Sequence, residues 1–292
     1  MNRSRQPPGG RPLLAGTVAY AHVDQWVRRI ADGSQRAVGA MLRRAMTPRE
    51  QVDIGVRLYD VAFSLRPEPL DPFDWEPGWF AARLPLPPAK LFVGAAGAGR
   101  EAVYLQGRGY DVTLLEPARK RADRCRDRVG PQTVLAIATY EDLADSVLDG
   151  TSTPASPIAG ARFDAVLLGW GSLSHIVHER DRRRLLRALD RVCPGGPILS
   201  SFWLGSKAPG AGTAERLGGW IGGLIGAARG VPAPSDAAPE IFASGYGFAH
   251  SYSRAEIAQL AAAADREVSW DHADGEQPRA TFLPRRSGAP PC

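Results

Sequence analysis

The stretch LFVGAAGAGRE, residues 91–101, and the acid Glu116 beyond it combine residue types and spacing that could do chemistry. An apolar run that breaks into Gly94, Gly97 and Gly99 and then into a helix-forming segment reads as a strand, a turn and a helix N-terminus. Such a turn cradles anions and nucleotides, because glycine lets the backbone approach the ligand and the helix offers N–H groups without intrahelical partners. No lysine stands where GxxxxGK[ST] requires one, which argues against a nucleoside triphosphate. Gly97, Gly99 and Ala102 do satisfy GxGxxG/A, and Glu116 stands where a carboxylate would hold ribose hydroxyls, so a dinucleotide stays open at this point. A nicotinamide-dependent reductase would still need a hydride-transfer site, and the chain has no YxxxK pair to supply one. For proton transfer, histidine is the natural base near neutral pH. His175, in GWGSLSH, is the first candidate, followed by His178 and His250.

These groups need a scaffold to converge. From Lys90 onward short β-rich runs alternate with helical ones, the pattern of a parallel sheet covered by helices. Strands are predicted near 90–94, 111–116, 132–138, 163–169 and 196–203, and helices near 99–108, 117–129, 141–148 and 179–192. Ser253 with Glu256 forms a capping box ahead of another helix, and REVSW and RATFLPR read as two closing strands. Upstream, TPREQVDIGVRLYDVAFSL predicts a helix with Thr47 as N-cap and Pro48 at its first position. Val52, Val56, Tyr59 and Phe63 recur on one of its faces. The proline-rich segment that follows, with Trp75, Trp79 and Phe80, reads as an ordered connector without helix or central strand.

Four segments result. Residues 1–14 and 286–292 are too rich in Pro, Gly and Arg to offset their ordering entropy and are expected to be disordered. Residues 15–88 form a helical cap and connector, and 89–285 form the ligand-binding domain with an insertion at 205–240. In that insertion Gly218, Gly222 and Gly226 recur every fourth residue. The spacing suits a buried or homodimer-forming helix, or a mobile lid over the acceptor.

Composition narrows the function classes. The 292 residues carry 36 basic and 31 acidic side chains scattered along the chain, a net charge of +5 that indicates a mild surface bias and no nucleic-acid footprint. Cys125, Cys193 and Cys292 are far apart and near no histidine pair, so neither a metal site nor a disulfide framework is expected. A cytoplasmic protein fits, since MNRSRQPPGGRP lacks an apolar signal core and no apolar run is long enough to span a membrane.

KLFVGAAGAGREAVYLQGRGYDVTLLEPA resembles the first motif and second strand of class I SAM-dependent methyltransferases. FDAVLLGWGSLSHI resembles their fourth strand, and RRRLLRALDRVCPGGPILSSFW the helix, PGG turn and fifth strand after it. FAHSYSRAEIAQLAAAADREVSW resembles the end of small-molecule members, and together these cover residues 88–284. The resemblance implies a doubly wound, mostly parallel seven-stranded α/β sheet with S-adenosyl-L-methionine as cofactor. It implies methyl transfer to O or N of a small acceptor, giving S-adenosylhomocysteine. Carried over by position, Gly94, Ala95, Gly97 and Gly99 form the cofactor turn, with Val93 where the family has an acid. Glu116 takes the ribose hydroxyls beside Pro117, and Arg100 can pair with the methionyl carboxylate or with a surface acid. Thr139 and Tyr140 flank adenine, with Glu141 or Asp142 as acceptor for its amine. Trp170 and Gly171 follow the fourth strand, and Tyr59 matches a tyrosine that relatives fold over the cofactor. A base-holding [ND]PP[YF] tetrapeptide is missing, which argues against nucleic-acid methylation. An inactive SAM-binding partner protein is the other reading that Val93 and Ala95 leave open.

Overall fold

The computed structural model describes residues 30–65, 69–205, 212–233, 240–243, 245–272 and 277–285; the ends expected to be disordered lie outside the described residues. These residues fall into two compact units, one drawn from the chain up to Thr47 together with Gly210–Pro234, the other from Pro48–Pro209 and Ser235 onward.

Helix α1, residues 30–45, belongs to the smaller unit. In the larger unit α2 (Pro48–Leu65) and α3 (Glu76–Arg83) precede β1 (Lys90–Gly94), α4 (Arg100–Gln106), β2 (Asp111–Leu115), α5 (Arg119–Val129) and β3 (Leu135–Ala136). Then come α6 (Tyr140–Asp149), α7 (Ser156–Ala159), β4 (Ala165–Leu168), α8 (Glu179–Val192) and β5 (Ile198–Ser201). After α9 (Thr213–Ala228) of the smaller unit, the chain returns as a hairpin, β6 (Glu240–Ala243) and β7 (Gly247–His250), followed by α10 (Arg254–Ala262), β8 (Arg266–His272) and β9 (Arg279–Pro284).

The main sheet has seven strands in the order β3-β2-β1-β4-β5-β9-β8. Pairing is parallel from β3 to β5, and β9 runs antiparallel to both β5 and β8. The mostly parallel seven-stranded sheet expected from the sequence is therefore present. Strand order reverses between β1 and β4, so the crevice beyond their carboxyl ends is the place where such sheets hold ligands. Strand residues alternate between two cores. Leu91 and Val93 pack with α3, α4 and α5, while Phe92 packs with α6, α8 and α10.

Three local expectations need correction. EPGWFAAR, within the proline-rich connector, is the helix α3. Pro77 lies in its first turn, where the missing N–H has no intrahelical partner to lose, and Trp79 and Phe80 are buried. The third strand shrinks to two residues, and the β6–β7 hairpin was not foreseen. The Ser253–Glu256 capping box forms as predicted.

In the smaller unit α9 lies on α1 through its glycines. A Cβ at Gly218, Gly222 or Gly226 would lie less than 3.0 Å from the carbonyl oxygens of Ala37, Met41 and Arg44 respectively. Only hydrogen at those positions lets the two backbones approach so closely.

Candidate functional site

At the carboxyl end of β1 the chain turns through Ala95, Gly97 and Gly99, with φ of 50°, 56° and 84°. Glycine adopts such angles at no steric cost; Ala95 is one of two described non-glycine residues that do so, the other being Asp265. The turn is pinned from the next strand. Gly97 N–H donates to Glu116 Oε2 and Ala118 N–H to Glu116 Oε1, each at 2.8 Å. Each carboxylate oxygen thus accepts one backbone N–H, and Glu116 is only 3% exposed. Two close approaches hold the turn from below. A Cβ on Gly94 would stand 2.6 Å from the Tyr140 ring, and one on Gly169 would collide with Ala95 O.

Glu116 lines a cleft of about 790 Å³, open mouth included, at the switch point of the sheet. Ala95, Leu115 and Pro117 share its floor, and Thr139, Tyr140 and Glu141 enter from the start of α6. Thr139 caps α6 and forms a reciprocal box with Asp142, which commits Asp142 to the helix end and leaves Glu141 as the acid lining the cleft. Burial pushes the Glu141 carboxyl above its ordinary range. Trp170, Ser172, His175 and Ile176 line the cleft from the turn after β4. Gly171 (φ 67°) makes this turn possible, and its N–H donates to Ser201 Oγ at 2.9 Å. Ser172 Oγ then meets the Tyr140 hydroxyl at 2.9 Å.

Most of the remaining wall comes from residues the sequence did not single out as ligand contacts. Along α2, Gln51, Val52, Gly55 and Val56 join Tyr59, while Arg121, Tyr246 and Phe248 enter from α5 and the β6–β7 hairpin. The α2 set was legible as an apolar face with period 3.6, of which Val52, Val56 and Tyr59 were named. The side chain of Phe63, on the same predicted face, lies outside the described residues. Gly247 allows α2 to cross the hairpin, because a Cβ there would stand 2.8 Å from Gly55 Cα.

His175 is held at both ring nitrogens. Its Nδ1 lies 3.2 Å from Phe248 O, a carbonyl that can only accept, so Nδ1 carries the proton. Nε2 is then the acceptor for the Tyr59 hydroxyl at 2.6 Å. Tyr59, Trp203 and Tyr246 each set a ring near-perpendicular to the imidazole, with centroids 5.1 to 5.6 Å apart within the cluster. Burial pushes the imidazole down to about 4, with the Arg121 charge adding to the effect against the Phe248 carbonyl. Arg121 itself lies 4.2 Å over the Tyr59 ring. At neutral pH His175 is uncharged.

Of the predicted residues, Gly94, Gly97, Gly99, Arg100, Gly171, His178 and His250 do not line the cleft. Arg100 is buried over the Phe73 ring and donates to Glu76 and Glu101 at 2.8 and 2.5 Å. Burial and the Glu101 charge push Glu76 up to about 7 despite that guanidinium. His178 is the residue before α8, and His250 is fully buried in β7, with Nε2 3.3 Å from Glu256. Neither lines the cleft. Val93, where an acid was expected, is fully buried in the apolar layer with Leu91, Leu105 and Leu114.

No family model matches the chain, and no curated protein matches it. Several solved structures do. The magnesium protoporphyrin IX methyltransferase of Synechocystis PCC 6803 with bound SAM is 12% identical, over 73% of this chain and 77% of that one, with a TM-score of 0.46. The 1,6-didemethyltoxoflavin-N1-methyltransferase of Burkholderia thailandensis, with 1,6-didemethyltoxoflavin and S-adenosylhomocysteine bound, is 14% identical over 98% and 94% of the two chains, at a TM-score of 0.45. The CcbJ methyltransferase of Streptomyces caelestis is 15% identical over 72% and 89%, at 0.48. The chain's own sheet carries the fold assignment: parallel strands reversing at β1 and β4, with β9 set antiparallel between β5 and β8. This is the class I methyltransferase fold.

Proposed function

We propose that this protein is a SAM-dependent methyltransferase acting on a small, natural-product-like acceptor and releasing S-adenosylhomocysteine. The Glu116 carboxylate carries the reading. It is fixed at the end of β2 by two backbone N–H groups and lines the cleft, and a carboxylate oxygen can accept more than one hydrogen bond. A vicinal diol is the donor pair suited to it, so Glu116 would hold the ribose, with Ala95 and Pro117 beside it. Thr139, Tyr140 and Glu141 would surround adenine. The turn at Gly97 and Gly99 would receive the methionyl end. Arg100, already bound to Glu76 and Glu101, is better suited to fixing the start of α4 than to reaching that end. When bound, SAM supplies a methyl group on a sulfonium cation, and two carboxylates against one guanidinium make the cleft hospitable to that charge.

The chain's own residues then orient the acceptor, exclude water and take up a proton. Tyr59 directs its proton to His175 Nε2, so its oxygen meets an acceptor as a lone-pair donor. A proton arriving there can push Tyr59's own onto His175. An imidazole titrating near 4 takes protons from strong acids only. A hydroxyl gaining a methyl group becomes such an acid, whereas a methylated amine keeps its proton against so weak a base.

Calorimetry with S-adenosylhomocysteine and with NAD(P) tests the assignment. The first should bind and the second should not, and Glu116→Ala should weaken binding at least 100-fold while melting as a folded protein. Tight NAD(P) binding without S-adenosylhomocysteine would establish a reductase instead. If the cofactor binds, transfer of labelled methyl to hydroxyl and amine acceptors separates an enzyme from an inactive SAM-binding partner.

A further inference from the structure

The smaller unit carries a surface that methyl transfer does not use. On α9, Leu217, Trp220, Ile221, Leu224 and Ile225 are exposed by 57, 62, 37, 54 and 40%. At 100° per residue these five fall within about 140° of arc, with no charged residue among them. An ordinary surface helix turns its large apolar side chains inward. Here the inward face consists of Gly218, Gly222 and Gly226 against the α1 backbone, so the helix is inverted: side chains that bury most are outside.

The charges around this stripe are ordered. Arg216 is exposed and lies about 40° beyond one edge, whereas Arg229 beyond the other edge donates to Ala45 O at 2.6 Å and Glu215 lies on the far side. Among the described residues of this unit, Arg36, Arg43, Arg44, Arg216 and Arg229 outnumber Asp32 and Glu215. An apolar stripe with a tryptophan, bordered by an arginine that can reach outward along its stem and carried on a unit with an excess of arginines, suits a helix lying in a lipid interface. No described helix is long and apolar enough to cross a membrane, so this one would lie flat.

We infer that α9 is an interfacial helix that rests this unit on an anionic lipid surface, with Trp220 and Leu224 at the acyl boundary and Arg216 on the headgroups. A second copy of the chain is the less suitable occupant. Five partly exposed side chains offer a few hundred Å², short of the roughly 800 Å² per partner of a stable interface.

Co-sedimentation of the full chain with vesicles decides the matter. Vesicles of phosphatidylcholine with 30% phosphatidylglycerol should retain the protein at ~50 mM salt at least 10-fold better than pure phosphatidylcholine, and 0.5 M salt should release it. Trp220→Glu and Leu224→Glu, both at exposed positions, should each reduce retention 10-fold or more with unchanged melting temperature. Arg216→Glu should weaken it about five-fold or more. Absence of retention, or retention indifferent to lipid charge and to these variants, overturns the inference. So does a dimer in analytical ultracentrifugation that Leu224→Glu dissociates, which would make the stripe a self-interface.

Discussion

At the residue scale, Glu116 and His175 are held by different means. Glu116 is buried, and each of its carboxylate oxygens accepts a backbone N–H. His175 is enclosed by aromatic rings and kept neutral, its two nitrogens assigned to one donor and one acceptor bond. Because burial lowers the folded-state value to about 4 from an ordinary 6.5, the unfolded chain binds a proton between those pH values that the folded one refuses. The stability from neutral His175 is therefore fully present above about pH 6.5, is lost as pH falls through that window, and stays flat below about 4. Glu76 acts in the other direction, since its raised value adds stability below about 4.5 that is lost as pH rises through about 7. Comparing the wild type with His175→Gln removes that common contribution. The wild type should lose at least about 2–4 °C more than the variant between pH 7 and pH 4.5, and an NMR titration should leave the His175 ring neutral down to pH 5. Glu116 was legible because a strand end after a glycine turn is a fixed position in such sheets. Arg121 and Phe248 were not, because no spacing connects them to the turn they face.

Elements were legible where periodicity and caps agreed, and misread where composition dominated. The prolines of the connector suppressed α3 in the reading, although a proline in the first turn costs a helix nothing and the tryptophan and phenylalanine after it supply a buried face. The β6–β7 hairpin follows directly on an insertion rich in glycine and proline, and its four-residue strands are too short for alternation to be read. Yet it supplies the carbonyl that fixes His175. The glycines of α9 were noticed for their spacing, and their packing gives them a measurable role. Gly222→Ala adds helix propensity worth about 1 kcal/mol but also sets a methyl group against Met41 O. The clash should prevail, so α9 should separate from α1. Limited proteolysis should cut residues 212–233 at least 10-fold faster in the variant, and amide exchange there should rise; unchanged protection would show that the helices can part without loss.

For the whole molecule, the order of strands and the place of the ligand crevice could be anticipated from alternating β and α patterns, because right-handed crossovers leave few arrangements. What holds the far edge could not. Arg266, 1% exposed, donates to Asp190 on α8 and to the carbonyls of Cys193, Gly196 and Phe282, joining β8, β9 and the turn before β5. From sequence it was one arginine among many. Replacing it with methionine leaves three backbone acceptors without the guanidinium while the Asp190 carboxylate, 46% exposed, returns to water, and should cost about 1–3 kcal/mol, a fall of roughly 2–12 °C in melting temperature by calorimetry.

The position of β9 also bears on how the chain is made. Synthesis runs from β1 to β9, yet β9 lies between β5 and β8. Between the emergence of Ser201 and of Pro284 a ribosome needs about 4–17 s at ~5–20 residues per second. Throughout that interval β5 presents an unpaired edge while the strands that frame the cleft already exist. The nascent chain therefore spends seconds as a nearly complete sheet with one adhesive border, a stage at which holding factors and neighbouring polysomes compete for it, and only the closing hairpin ends that competition.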